Sequence, residues 1–192
     1  MNRPRVRDEA AAIVGDLGRL RFANVFNPYI DVCPDHDVAD APRIRRRNLE
    51  AVLNAAIGAE GASVWIARDL GYRGGRRTGL ALTDDLHITP HGALWSLNSL
   101  KRATKGPPMR ERTAAVVWQA LRLIDQPIFL WNIFPLHPHE PGDPLSNRCH
   151  TRRERAECDP ILSRLLRAIA PKSVIAIGRD AHAGLPAAGD SI

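Results

Sequence analysis

Three short apolar runs constrain this chain more than any other feature. Ala62-Ser63-Val64-Trp65-Ile66-Ala67, Pro127-Ile128-Phe129-Leu130-Trp131-Asn132 and the KSVIAIG run from Lys172 to Gly178 are nearly continuous in apolar residues, where a half-buried strand would alternate. Strands of that kind are covered on both faces, which is the environment of a parallel sheet between two helical layers. The intervening segments read as helices. Residues 7–22 place Ile13, Val14, Leu17 and Leu20 on one face, and a helix after Asp40 and Pro42 turns Ile44, Leu49, Val52, Leu53, Ala56 and Ile57 inward. It ends near Gly58 or Gly61, after a loop around Asn27, Pro28 and Pro34. Residues 113–125 form another helix, and Asp159-Pro160 reads as an N-cap followed by proline at the first helical position. The expected fold is α/β: a three-layer α/β/α sandwich around a short central parallel sheet, one domain over residues 1–192.

Composition narrows the function classes. Hydrophobic residues at 44% and charged residues at 25% exclude wholesale disorder. No run approaches the roughly 20 apolar residues of a membrane span, and MNRPRVRDEA has no apolar segment to serve as a secretory signal, so a cytoplasmic protein is expected. Cys33, Cys149 and Cys158 are too few and irregular for a disulfide framework. A formal net charge of +6 points to an anionic partner, nucleic acid first. Nearly all of it is arginine, whose planar fork matches phosphate; the only lysines are Lys101, Lys105 and Lys172. An Arg- and Ala-rich chain is also what a high-GC genome encodes.

In open parallel sheets the ligand site lies beyond the carboxyl ends of the strands. The polar residues there are Arg68-Asp69, Asn132 and Arg179-Asp180. Asp69 opens a glycine- and arginine-rich loop through Gly79 whose backbone N–H groups can approach an anion, although the Gly-Lys-Ser/Thr ending of a P-loop is missing. Asn132 ends the second run, where a buried amide must use its donor and acceptor, as it does when reading a base edge. Asp69 is equally suited to capping a helix or pairing with an arginine, and Asn132 to bonding its own loop.

Together these segments resemble the uracil-DNA glycosylase superfamily, over about residues 62–185. Ala67-Arg68-Asp69 falls on the family's Gly-Gln-Asp, and Thr78-Gly79-Leu80-Ala81-Leu82 resembles the stretch that supplies a stacking aromatic. Trp131-Asn132-Ile133-Phe134-Pro135-Leu136 looks like the W-N-x-x-P-L of the single-strand-selective class. Asn147-Arg148 through Cys158-Asp159-Pro160-Ile161-Leu162 to Ile177-Gly178 looks like the iron–sulfur class. The resemblance implies a monofunctional enzyme that hydrolyses the N-glycosidic bond of uracil, or a related deaminated base, in DNA. Asp69 would stabilise the oxocarbenium-like sugar and hold the attacking water, and Asn132 would read uracil. Arg68, Tyr72 and Leu82 would complete the base pocket; Arg73, Arg76 and Arg77 would contact phosphates. The partner would be uracil-containing DNA, single-stranded or mismatched, from which the base flips most cheaply.

The chain departs from that pattern in three places. Leu82 stands where an aromatic should stack. The family's H-P-S motif beyond the third strand has no counterpart before Ala187-Ala188-Gly189-Asp190-Ser191-Ile192, so the fourth strand is expected to be missing or replaced, with weak or absent activity; His137 is the candidate substitute for the motif's histidine. Only Cys158 matches a cluster cysteine, with Leu136 at another such place and His36 following Cys33, so no cofactor is expected. His137, His139 and His150 otherwise read as free loop histidines, not a zinc-deaminase site, since no C-x-x-C exists. Arg43, Arg45, Arg46 and Arg47 open a helix and form a solvated surface or a phosphate-facing one. Lys101, Arg102, Lys105, Arg110 and Arg112 flank Gly106-Pro107-Pro108 as a mobile loop suited to grasping DNA. The alternatives are a non-catalytic nucleic-acid-binding relative and an unrelated α/β hydrolase acting through Asp69 on a phosphorylated small molecule.

Overall fold

A computed structural model describes residues 3–185, with side chains from residue 8 onward. In chain order the elements are α1 (Arg3–Arg19), β1 (Val25–Phe26), α2 (Ala41–Ile57), β2 (Ser63–Asp69), α3 (Gly75–Thr78), α4 (Ile88–Leu94), α5 (Arg112–Leu121), β3 (Ile128–Phe134), β4 (His137–Pro138), α6 (Arg152–Ile169), β5 (Ser173–Ala176) and α7 (Arg179–Gly184). The three apolar runs form one parallel sheet in the order β3-β2-β5. β1 and β4 pair separately and antiparallel, with Phe26 opposite His137. This is the expected α/β/α sandwich; residues 187–192, on which the missing-strand expectation rests, lie outside the described residues.

Strand parity explains the two cores. Val64, Ile66, Phe129, Trp131 and Ile133 face a large cluster with Ile13 and Leu17 of α1, Leu49 and Leu53 of α2, and Leu162, Leu165 and Leu166 of α6. The alternate residues Ala67, Ile128 and Leu130 face Ala114, Val117, Trp118 and Leu121 of α5. β5 is the exception to strands covered on both faces: Ser173 and Ile175 are exposed, whereas β3, at the other end of the β3-β2-β5 order, is buried throughout.

The helices follow their local signals, with one correction. α2 has proline in its first turn and stops at Gly58. α6 does not begin at Asp159-Pro160; Pro160 lies inside it. Its start is a capping box at Thr151, whose Oγ1 accepts from the Glu154 N–H (3.2 Å) while Glu154 Oε2 accepts from the Thr151 N–H (2.6 Å). An interior proline costs on the order of 3 kcal/mol, set against the buried stripe of Cys158, Ile161, Leu162, Leu165 and Leu166. The short α3 and α4 and the β1–β4 pair carry too little periodicity to announce themselves.

A buried ionic network joins the opening of α2 to the loops. Arg45, expected on a helix surface, is fully buried: it pairs with Asp37 through Nη2 and donates from Nε to the Arg77 carbonyl (2.9 Å). Arg77 in turn donates to Asp85 (2.9 Å), whose other oxygen accepts from Thr104 (3.0 Å). Gly79 is required here. Its φ is +70°, and a Cβ on it would come within 2.7 Å of the Arg45 Cβ.

Candidate active site at the carboxyl edge of the sheet

Register brings the two principal candidates together. Asn132 lies opposite Ala67 and Phe134 opposite Asp69, so Asp69 and Asn132 are diagonal neighbours on one face of the sheet. The Asn132 amide Nδ2 donates to the Asp69 carbonyl (3.0 Å). Its Oδ1 is buried and has no hydrogen-bond partner. A buried acceptor left unpaired is costly, and such a group in a native fold calls for an explanation.

The Asp69 carboxylate is held from both sides. Arg68 Nε donates to Oδ2 (2.6 Å), and His150 Nδ1 pairs with Oδ1. Arg68 also reaches Asp180 at the start of α7 (2.9 Å). The Asp69 side chain is 6% exposed beneath an Arg68 that is 38% exposed. His150 therefore is not a free loop histidine. It immediately precedes the Thr151 capping box, which fixes its backbone, and its ring lies 5.6 Å from that of Phe134. The Thr-x-x-Glu signature after it was the available sign that this loop residue has a set position.

Tyr72 and Leu82 also lie near this edge. The Tyr72 N–H donates to Asn147 Oδ1 (3.0 Å), and its ring lies under the Arg73 guanidinium at 5.2 Å. Leu82 is buried in the cluster with Ala67 and Leu70, on the face that carries Asp69 and Asn132, and its carbonyl accepts from Trp118 (3.0 Å).

Three expected residues have other roles. His137 is fully buried in β4; its Nε2 donates to the Ser146 carbonyl (2.8 Å) and its Nδ1 faces Arg76 (3.5 Å), so both ring nitrogens are in use. Burial, reinforced by Arg76, pushes its pKa down to about 3, which leaves a neutral structural imidazole in place of a proton donor. Arg76 is buried as well, donating to the Pro144 carbonyl (2.6 Å) with its guanidinium 3.9 Å from the centroid of the Phe26 ring. Arg77 belongs to the network with Asp85. Neither arginine is placed to meet a DNA phosphate, because each is enclosed by the loops it holds.

The remaining cations are at the surface. Arg73, Lys101 and Lys105 are exposed, with Lys105 donating to the Pro34 carbonyl (3.2 Å). Arg102 is half-buried and holds the turn through the carbonyls of Thr104 (2.9 Å) and Gly106 (2.5 Å). The 101–110 segment is thus tied at several points, including a bridge from Thr104 to Asp37.

Glu111 was not foreseen. Its carboxyl lies against Gly71 and Gly74 so closely that any Cβ at either position would collide with it. Desolvation, with the neighbouring Asp84 charge, pushes its pKa up to about 7. Nothing local marks it; the glycines that admit it are distant in the chain.

Among the described residues no group of three His, Cys, Asp or Glu is placed to hold a metal ion, and no helix is long and apolar enough to cross a membrane. No protein-family model matches the sequence, and no curated protein matches it either.

Proposed function

We propose that the chain hydrolyses the N-glycosidic bond of uracil, or a closely related deaminated base, in single-stranded or mismatched DNA. The observation that carries this reading is the unpaired, buried Oδ1 of Asn132 beside the backbone of Asp69. The uracil edge presents an N3–H donor that this acceptor suits, whereas at that same position cytosine presents an unprotonated N3 that would face the oxygen lone pair to lone pair. Failure to satisfy a buried polar group is the strongest form of discrimination available to such a site.

In the reaction the C1′–N1 bond breaks, its electron pair departs with the base, and positive charge spreads over the sugar. The Asp69 carboxylate stabilises that charge, orients the water that adds to C1′ and takes the proton that water loses, which passes in the end to the departed base anion. Arg68 and His150 hold the Asp69 carboxylate in place. The fourfold coincidence of strand end, carboxylate, amide and surrounding cations supports the enzyme.

One observation favours a second reading, a DNA-binding relative without chemistry: both Asp69 oxygens are already paired and the side chain is nearly covered. Incubation with a uracil-containing single strand, followed by alkaline cleavage of abasic sites, separates the two. Scission lost in Asp69→Asn supports hydrolysis. Retention of the oligonucleotide without scission supports binding alone.

A further inference from the structure

A cleft of about 370 Å³ lies between the opening of α2 and the 99–101 segment, lined by Arg43, Arg47 and Lys101 over Ile44. We propose that it binds the phosphodiester backbone of a single-stranded nucleic acid; this rests on the reading of DNA as the partner and names where the strand is held.

The charge is unbalanced. Against three cations the cleft has one carboxylate, Asp40, which pairs with Arg43. Arg47 and the Lys101 ammonium are exposed and make no hydrogen bond or ion pair among the described residues. Arg43 and Arg47 are one turn apart on the same helical face, so their stems run side by side, roughly 5–6 Å apart at Cβ. α2 has no acidic residue in its first turn, where cations meet the positive end of its dipole; its one carboxylate, Glu50, comes further along the helix.

The cleft is also built, because a buried amide fixes its far wall. Asn48 Nδ2 donates to the Lys101 carbonyl (2.7 Å) and its Oδ1 accepts from the Lys101 N–H (3.0 Å). This clamp holds the Lys101 backbone against α2 while leaving the ammonium free, and Ser99, two residues earlier, also lines the cleft. Through Arg45 and the Arg77 carbonyl, the opening of α2 packs on the loop that follows β2, the loop that Asp69 opens. Arginine forks grip phosphate oxygens, and Ile44 offers an apolar surface to sugar.

The test is fluorescence anisotropy with an undamaged, end-labelled single-stranded oligonucleotide over a salt series. Arg47→Ala/Lys101→Ala should weaken binding roughly tenfold, and the slope of log K against log salt should shrink by about 1.4, at roughly 0.7 per lost phosphate contact. Arg47→Lys should recover most of the affinity. Both side chains are exposed, so an unchanged circular dichroism spectrum is expected. Unaltered affinity and slope in the double variant overturn the proposal. So does displacement of the oligonucleotide by submillimolar inorganic phosphate, which would mark a site for a small phosphorylated molecule. The oligonucleotide here carries no uracil and release is assayed on a separate uracil-containing strand, so failure of uracil release and failure of this cleft are read separately.

Discussion

Two groups of charged residues border the loop after β2, and they differ in what they leave open. In the Asp37–Arg45–Arg77–Asp85 network every ion is buried and meets a protein partner. In the Asp69–Arg68–His150 group the carboxylate sits under an arginine that is more than a third exposed, beside an amide with a spare acceptor. A closed network of buried charges holds loops together, since removing one ion strands another in low dielectric. A group at the rim can exchange its partners for a substrate. Identical residue types thus serve as scaffold in one place and as candidate chemistry in the other.

The largest expected effect tests the scaffold. Arg45→Ala leaves Asp37 buried without its counter-ion and should cost about 3–5 kcal/mol of stability in denaturant titration. A loss under 1 kcal/mol would erase the distinction between the two groups. Next, Asp69→Asn should lower uracil release by about 10²–10³-fold with little change in melting temperature. A large drop in stability with release intact would make Asp69 a second scaffold ion.

The pH dependence comes third. His36, His91 and His137 are held as neutral imidazoles, with pKa pushed down from 6.5 to about 4 for His36 and to about 3 for the other two, burial being the first cause in each. Below pH 6.5 the unfolded chain takes up three protons that the folded chain refuses until about pH 4. Glu111 acts in the opposite sense: its carboxyl, up from 4.5 to about 7, gains a proton in the folded chain while the unfolded chain stays ionised. The unfolded chain therefore binds about two more protons, and stability should fall by about 2.7 kcal/mol per pH unit between roughly pH 6 and 4.5. Glu111→Gln should stabilise the protein at pH 8 and steepen its acid loss; a flat melting temperature from pH 7 to 4.5 would contradict this.

The smallest effect sharpens the contrast at one atom. Asn132→Leu removes an unpaired acceptor along with one hydrogen bond, so stability should change by no more than about 1 kcal/mol. Uracil release should nevertheless fall at least about tenfold, the scale of one lost hydrogen bond to the reacting base. An undiminished rate would remove Asn132 from the site.

Much of the frame was legible because its signals are local. Apolar runs without alternation marked β2, β3 and β5, and the rule of carboxyl strand ends singled out Asp69 and Asn132. The arginines were not legible. Arg73, Arg76 and Arg77 share one loop and one chemistry, yet the first is exposed while the other two are enclosed, because β1 and the 104–109 and 144 segments fold over them. His137 and His150 exchanged their expected places for the same reason. Thr151 at the start of α6 was readable from its capping box, but Asp159-Pro160 offered a competing start that only helix packing rejects.

Side-chain periodicity and strand-end position, both properties of neighbouring residues, determined the layers, the parallel sheet and the pair at its edge. Which charges close on one another and which remain available depends on segments far apart in the chain. Burial of an ion is decided by what packs over it, and that is set only when the tertiary structure forms.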